Sequence, residues 1–229
     1  MIMRGYYSNN LSGARLRQCY EIASPRVKQY LEAEIQFVLN HLNSNDIVLE
    51  LGCGYGRVAF ELAKIAKKVV GIDTSKESIA LARELSRENS NCEFLEMDAL
   101  KLAFDRSKFD MVVCIQNGIC AFGVDKKRLV DQTLRITRPN GHVLFSTYSD
   151  QFWPYRLKWF EDQSELGLVG QIDYEKTSNG TIVCTDGFCS DIISNESFGL
   201  ICKELGVDFQ VTEIDNSSVF FEIIVPHAA

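Results

Sequence analysis

Residues 12–42 alternate apolar and polar positions at helical spacing, and Pro25 is well placed to open a second helix with Val27, Tyr30, Leu31, Ile35, Val38 and Leu42 on one side. Two helices are therefore predicted ahead of the first strand. From residue 47 the pattern changes to short β-branched runs separated by helical stretches. IVLEL (47–51) leads to a helix ending near Lys67, VVGID (69–73) to a helix from Lys76 to about Glu88, and CEFLEMD spans 92–98. FDMVVCIQ (109–116), a helix from about Lys126 to Arg138, a Pro139-Asn140-Gly141 turn and HVLFSTYS (142–149) continue the rhythm. Such runs predict an α/β fold with a mostly parallel sheet covered by helices on both faces. Thr74 followed by Glu77 reads as a capping box that marks the end of VVGID.

After Asp150 the rhythm breaks. Residues 151–194 hold an aromatic patch, then two predicted strands within DYEKTSNGTIVCTDGFCSDI around a Ser178-Asn179-Gly180 turn, which suggests an inserted helix plus hairpin. A last helix over about 196–205 stops at Gly206, and the runs VDFQVTEI and VFFEIIV are joined closely enough for a hairpin, so the sheet should finish with an antiparallel edge. No repeat or linker interrupts the chain, which reads as a single domain over 1–229, with residues 1–42 as a helical cap.

Composition narrows the function classes. A net charge of −7 disfavours broad electrostatic capture of nucleic acid or anionic membrane, and no unbroken apolar run approaches 20 residues. The first residues lack the apolar stretch of a secretory signal, so a cytoplasmic location is expected. The eight cysteines never occur as CxxC and several lie in apolar strands, the usage of reduced thiols rather than of disulfides or a metal site. No metal ligand set is expected.

The chemistry concentrates at residues 48–63, VLELGCGYGRVAFELA, where Glu50 ends the first strand and Gly52, Gly54 and Gly56 alternate before a helix. Glycines there let the backbone turn sharply and approach a ligand, and the helix start favours an anionic group in the same crevice. The dinucleotide fingerprint would need a glycine where Arg57 stands. The observed E-x-G-x-G-x-G instead resembles motif I of the class I S-adenosylmethionine-dependent methyltransferases. VVGID ending in Asp73, MDA with Asp98 and Ala99, FDMVVCIQNG and LRITRPNGHVLFS resemble the later motifs of that family, in its order.

The resemblance implies a Rossmann-like methyltransferase fold, a seven-stranded mostly parallel sheet with an antiparallel last strand, and S-adenosylmethionine as cofactor. It implies that Glu50, Gly52, Cys53, Gly54 and Gly56 form the loop around the methionine part. Asp73 would take the ribose hydroxyls, with Thr74 lining the adenine pocket. Asp98 and Ala99 would lie beside the adenine, and Gln116 and Asn117 would face the methyl group. On the acceptor side, Tyr6, Tyr7, Tyr148, Trp153, Tyr155 and Arg156 are the candidates.

Asn117-Gly118 also reads as a turn, and the aromatic stripe as core. The chain reads Gln-Asn-Gly-Ile where enzymes acting on adenine or glutamine amides carry an Asn-Pro-Pro-Tyr type of motif, which disfavours those substrates. No catalytic base is singled out, and none of the three histidines is placed as one. The expected activity is methyl transfer to a small-molecule amine, thiol, carboxylate or hydroxyl, by a monomer or homodimer. The alternatives are a non-catalytic S-adenosylmethionine-binding scaffold, a protein or tRNA methyltransferase, and a nicotinamide-dependent oxidoreductase.

Overall fold

The computed structural model describes residues 5–88, 90–178 and 180–227. Among them, seven strands form one sheet in the order β3-β2-β1-β4-β5-β9-β8. The first five are β1 (Ile47–Leu51), β2 (Lys68–Asp73), β3 (Cys92–Glu96), β4 (Phe109–Cys114) and β5 (Thr137–Tyr148), all parallel to one another. β9 (Ser218–Ile224) runs antiparallel between β5 and β8 (Gln210–Ile214). The antiparallel strand is thus the last in sequence, but the edge is β8. The Asp215-Asn216 hairpin turn, with both residues at positive φ, folds β9 back inside β8.

Strand order reverses between β1 and β4, so their carboxyl ends open a crevice of the kind that binds ligands in open α/β sheets. The sheet is apolar on both faces. Leu49, Leu51, Val112 and Phe145 pack on one side with α7 (Lys126–Ile136) and α9 (Asn195–Leu205). Val48, Val69, Met111 and Leu144 pack on the other with α3 (Pro25–Leu39), α4 (Arg57–Leu62) and α5 (Lys76–Leu85). Burial on both sides is what the near-continuous Val/Ile/Leu runs require.

Several local expectations are corrected. The helix after β1 ends at Leu62 rather than near Lys67, and a short helix α1 (Tyr6–Asn10) precedes α2 (Gly13–Glu21) and α3. Ser75, not Thr74, caps α5, its hydroxyl accepting from the Ser78 N–H at 3.1 Å. Glu77 is drawn away from a capping box by the N-terminal cap, where Ser12 Oγ donates to it at 2.7 Å. Pro139 and Asn140 are absorbed as an irregularity within β5, with Asn140 at φ 58. The insertion carries α8 (Trp153–Glu165), but its hairpin shrinks to the two-residue strands β6 (Ile182–Val183) and β7 (Cys189–Ser190). Ser178 and Thr181 exchange backbone hydrogen bonds across the anticipated turn, whose Asn179 lies outside the described residues.

The cap and the insertion bury each other. Tyr6, Leu11 and Cys19 of the cap form one cluster with Phe160, Leu168, Ile182 and Phe188. The Trp159 indole N–H donates to the Cys19 carbonyl at 2.9 Å. These contacts close a roof over the carboxyl edge of the sheet. All eight cysteines are free thiols.

Candidate functional site

Under that roof lies a cavity of about 300 Å³. Its floor is the loop after β1. Gly52, Gly54 and Gly56 adopt φ of 70°, 53° and 91°, a region that L side chains rarely enter. A Cβ on Gly54 would come within 2.8 Å of Leu16, and one on Gly52 would meet the Phe122 ring at 2.5 Å. Both glycines face the cavity, as does Cys53. Gly56 does not line it, and caps α4 beneath Phe60 and Phe94.

Asp73, at the tip of β2, sits beside the loop. Its carboxylate accepts from the Gly54 N–H at 3.0 Å and the Ser75 N–H at 2.8 Å. Burial raises its pKa against those backbone donors, which pull it down. Two donors leave lone pairs open on the carboxylate, and Thr74, Met97, Asp98 and Ala99 continue the wall from there. Asp98 shapes its own turn by accepting from the Leu100 N–H at 2.9 Å.

Four residues lining the cavity carry a buried polar atom without a hydrogen-bond partner: Tyr30 Oη, Glu50 Oε2, Arg57 Nη2 and Gln116 Nε2. An orphaned buried acceptor and donor in one wall cost stability unless a ligand satisfies them. Burial pushes the Glu50 carboxyl up to about 8 even though the Arg57 guanidinium pulls it down. Gln116 and Asn117 both lie in the left-handed region, at φ 56° and 61°. Asn117 turns away from the cavity, donating to the Asp191 carbonyl and accepting from Thr147 Oγ1.

The strained turn at Gln116 is held from the cap, by a residue the sequence reading passed over. Glu34 of α3 is fully buried. Its carboxylate accepts from the Gln116 N–H at 2.6 Å and from Ser218 Oγ at 2.5 Å. Burial raises it to about 7, outweighing the hydroxyl and amide donors that favour its charge. Its position on the apolar face of α3 was the one available signal, since a carboxylate there needs partners.

Of the acceptor-side candidates, Tyr7 and Tyr148 line the cavity. Tyr6 is buried against Phe188, with its hydroxyl on Asp186. Arg156 is buried behind Tyr148, its guanidinium 4.2 Å from that ring and donating to Ser190. Trp153 lies beside Arg156 outside the cavity, and Tyr155 is exposed with Arg26 over its ring. Residues not singled out from the sequence complete the chamber: Tyr20 and Tyr30 from the cap, Arg57, and Trp159.

This sheet order and glycine loop define the class I S-adenosylmethionine-dependent methyltransferase fold, and S-adenosylmethionine is the cofactor that goes with it. Residues 48–141 match the family model described as a methyltransferase domain, so the central part of the chain is a methyltransferase domain of that class. The ubiquinone biosynthesis O-methyltransferase of Coxiella burnetii (strain Dugway 5J108-111) is 27% identical over 139 residues, covering 58% of this chain and 54% of that protein. The chain thus spans about half the length of that curated relative. A solved structure of a Pyrococcus horikoshii OT3 protein superposes with a TM-score of 0.66 at 23% identity, covering 97% of this chain and 99% of the other. The DhpI-SAM-HEP complex gives 0.62 at 21% identity, over 96% and 94%. These structural likenesses bear on the fold.

Two raised carboxyls give a pH signature to the ligand-free protein. An acid whose folded pKa lies above its unfolded value stabilises below the unfolded value, near 4.5, and loses that contribution as pH rises through the folded value, here about 7 for Glu34 and about 8 for Glu50. Thermal unfolding of the ligand-free protein should therefore move down by roughly 5–10 °C between pH 5 and pH 8.5. Glu50→Gln should flatten a good part of that slope. A melting temperature that rises steadily over this window would contradict the burial of these groups.

Proposed function

We propose that the whole chain transfers a methyl group from S-adenosylmethionine to a small-molecule nucleophile. The observation that carries this reading is the pair of orphaned polar atoms, Glu50 Oε2 and Gln116 Nε2, flanking a left-handed glycine loop whose Gly52 and Gly54 line the cavity. The donor set fits the cofactor. Glu50 would take the ammonium of the methionine part, the carboxylate of Asp73 the ribose hydroxyls, and the 97–99 turn the adenine. When bound, the sulfonium supplies an already activated methyl group.

The chain's own residues then have to position the acceptor and exclude water. The roof of α1, α2 and α8 does the second, and the tyrosines beneath it shape the first. Among the described residues lining the cavity there is no histidine. The lining tyrosines are no substitute base, because burial raises the hydroxyls of Tyr7, Tyr20 and Tyr148. The site therefore suits an acceptor that arrives already nucleophilic. The name of the Coxiella relative, an O-methyltransferase, supports an oxygen acceptor.

The enclosed chamber and the net charge of −7 favour a small molecule over nucleic acid. Among the described residues no helix is long and apolar enough to cross a membrane; a cytoplasmic monomer or homodimer is part of the same proposal. The test is incubation with methyl-labelled S-adenosylmethionine and fractionated small-molecule extract, with mass identification of labelled products. Labelled small molecules and S-adenosylhomocysteine are the expected products. Cofactor binding with no label transferred to any fraction would instead favour a scaffold.

A further inference from the structure

At the acceptor end of the cavity, four tyrosines from four different elements line one chamber: Tyr7 on α1, Tyr20 on α2, Tyr30 on α3 and Tyr148 on β5. Tyr30 and Tyr148 also pack on each other and on Phe152 in the buried cluster behind the chamber. Tyr7 is near enough to Tyr20 and Tyr148 for their hydroxyls to act on one another electrostatically, and the Tyr20 hydroxyl donates to Gln116 Oε1 at 3.3 Å. Each is a neutral O–H donor at ordinary pH, because burial raises all three.

Two guanidinium groups stand against these rings. Arg57 lies 4.6 Å from the Tyr20 centroid and Arg156 lies 4.2 Å from that of Tyr148. Each therefore takes a ring face that a cationic ligand would otherwise use. A cation on a phenol ring also withdraws electron density and makes its O–H a better donor, in line with the lowering influence of Arg57 on Tyr20 and of Arg156 on Tyr148. Arg57 Nη2 and Arg156 Nε are buried without a hydrogen-bond partner.

Two carboxylates that line the same cavity, Asp73 and Asp98, stand at the ends of β2 and β3. Glu34 and Glu50 are the carboxyls that Arg57 acts on, and burial holds them at about 7 and about 8, so near neutral pH they are substantially protonated. Arg156 is bound to neutral Ser190. Hydroxyl donors lining one chamber with guanidinium groups against their rings are an arrangement for an anion.

We propose that the methyl acceptor carries a carboxylate, held by the hydroxyls of Tyr7 and Tyr148 with Arg57 and Arg156 beside them. This rests on the methyl-transfer reading of the same cavity and names its substrate class. It also fits a cavity with no histidine among its described lining residues, since an acceptor that enters ionised has no proton to lose. A cationic amine is the acceptor this chamber rejects.

The test uses the full chain, with and without saturating S-adenosylhomocysteine, and three probes of similar size and different charge: benzoate, benzamide and benzylammonium. Calorimetry or ligand-observed NMR should find benzoate bound at least tenfold more tightly than either neutral or cationic probe. Tyr148→Phe and, separately, Tyr7→Phe should each weaken benzoate roughly five- to tenfold while leaving S-adenosylhomocysteine affinity unchanged. Both variants keep the ring and its packing, so a fold defect is not anticipated, and a melting curve checks it. Benzylammonium binding as well as benzoate, or benzoate affinity unmoved by both substitutions, overturns the proposal. Benzoate binding with this tyrosine dependence but no S-adenosylhomocysteine binding would leave the anion site standing and sink the methyl-transfer reading. The reverse result would sink the acceptor class alone.

Discussion

Asp73→Ala is expected to weaken S-adenosylhomocysteine binding by roughly 100-fold with the fold intact. A carboxylate hydrogen bond contributes about 1.5–3 kcal/mol, and two ribose hydroxyls would make two such bonds, so about 3 kcal/mol is a conservative loss. The substitution acts twice, because the same carboxylate fixes the Gly54 N–H at 3.0 Å and the Ser75 N–H at 2.8 Å. Removing it loosens the glycine loop as well as the ribose contact. Asp73→Asn, which keeps an acceptor oxygen but loses the charge, should fall between wild type and Ala. Calorimetric titration decides it, and an affinity within threefold of wild type would contradict the ribose role.

Glu34→Ala is the second large effect, and it reads out on stability and on binding. Gln116 and Asn117 occupy the left-handed region in succession, each at a cost of about 1–3 kcal/mol that the surroundings must hold. Glu34 and Ser146 both accept from the Gln116 N–H, at 2.6 and 2.8 Å. With the carboxyl gone, a buried gap opens between α3 and the sheet and Ser218 loses its acceptor. Destabilisation of about 2–4 kcal/mol is expected by denaturant titration, together with weaker S-adenosylhomocysteine binding through a loosened Gln116. A raised carboxyl contributes most below its unfolded pKa, so the gap between wild type and Glu34→Ala should narrow from pH 5 to pH 8. Equal stability at pH 5 and unaltered binding would contradict the positioning role.

Much of this was legible in the chain because period and glycine spacing are local signals. The apolar runs placed β1, β2, β4 and β9 closely, and E-x-G-x-G-x-G located the crevice loop before any coordinate. What failed was decided by tertiary competition. Glu77 could cap α5, yet Ser12 from the cap claims its carboxylate and Ser75 caps instead. Asn117 follows Gln116 and shares its backbone conformation, but its amide finds Thr147 and Asp191 behind the sheet, so only Gln116 reaches the cavity.

The acceptor side was harder to read because its wall is assembled from distant segments. Tyr20 and Trp159 are 139 positions apart and meet at ring centroids 6.1 Å apart, which no periodicity in either helix announces. Arg57 stood out in the sequence only for breaking the dinucleotide spacing, yet in the fold it faces Tyr20. Arg156, an acceptor-side candidate from its place in the aromatic patch, is buried behind Tyr148 and donates to Ser190.

The central claim, that one crevice above the loop at 50–56 receives a sulfonium nucleoside, is tested most directly by a crystal structure with S-adenosylhomocysteine. The account predicts the ribose on the Asp73 carboxylate, the adenine along residues 97–99, and the amino-acid end satisfying Glu50 Oε2 and Gln116 Nε2. Ligand density elsewhere on the molecule, with those two atoms still unpaired, would contradict it.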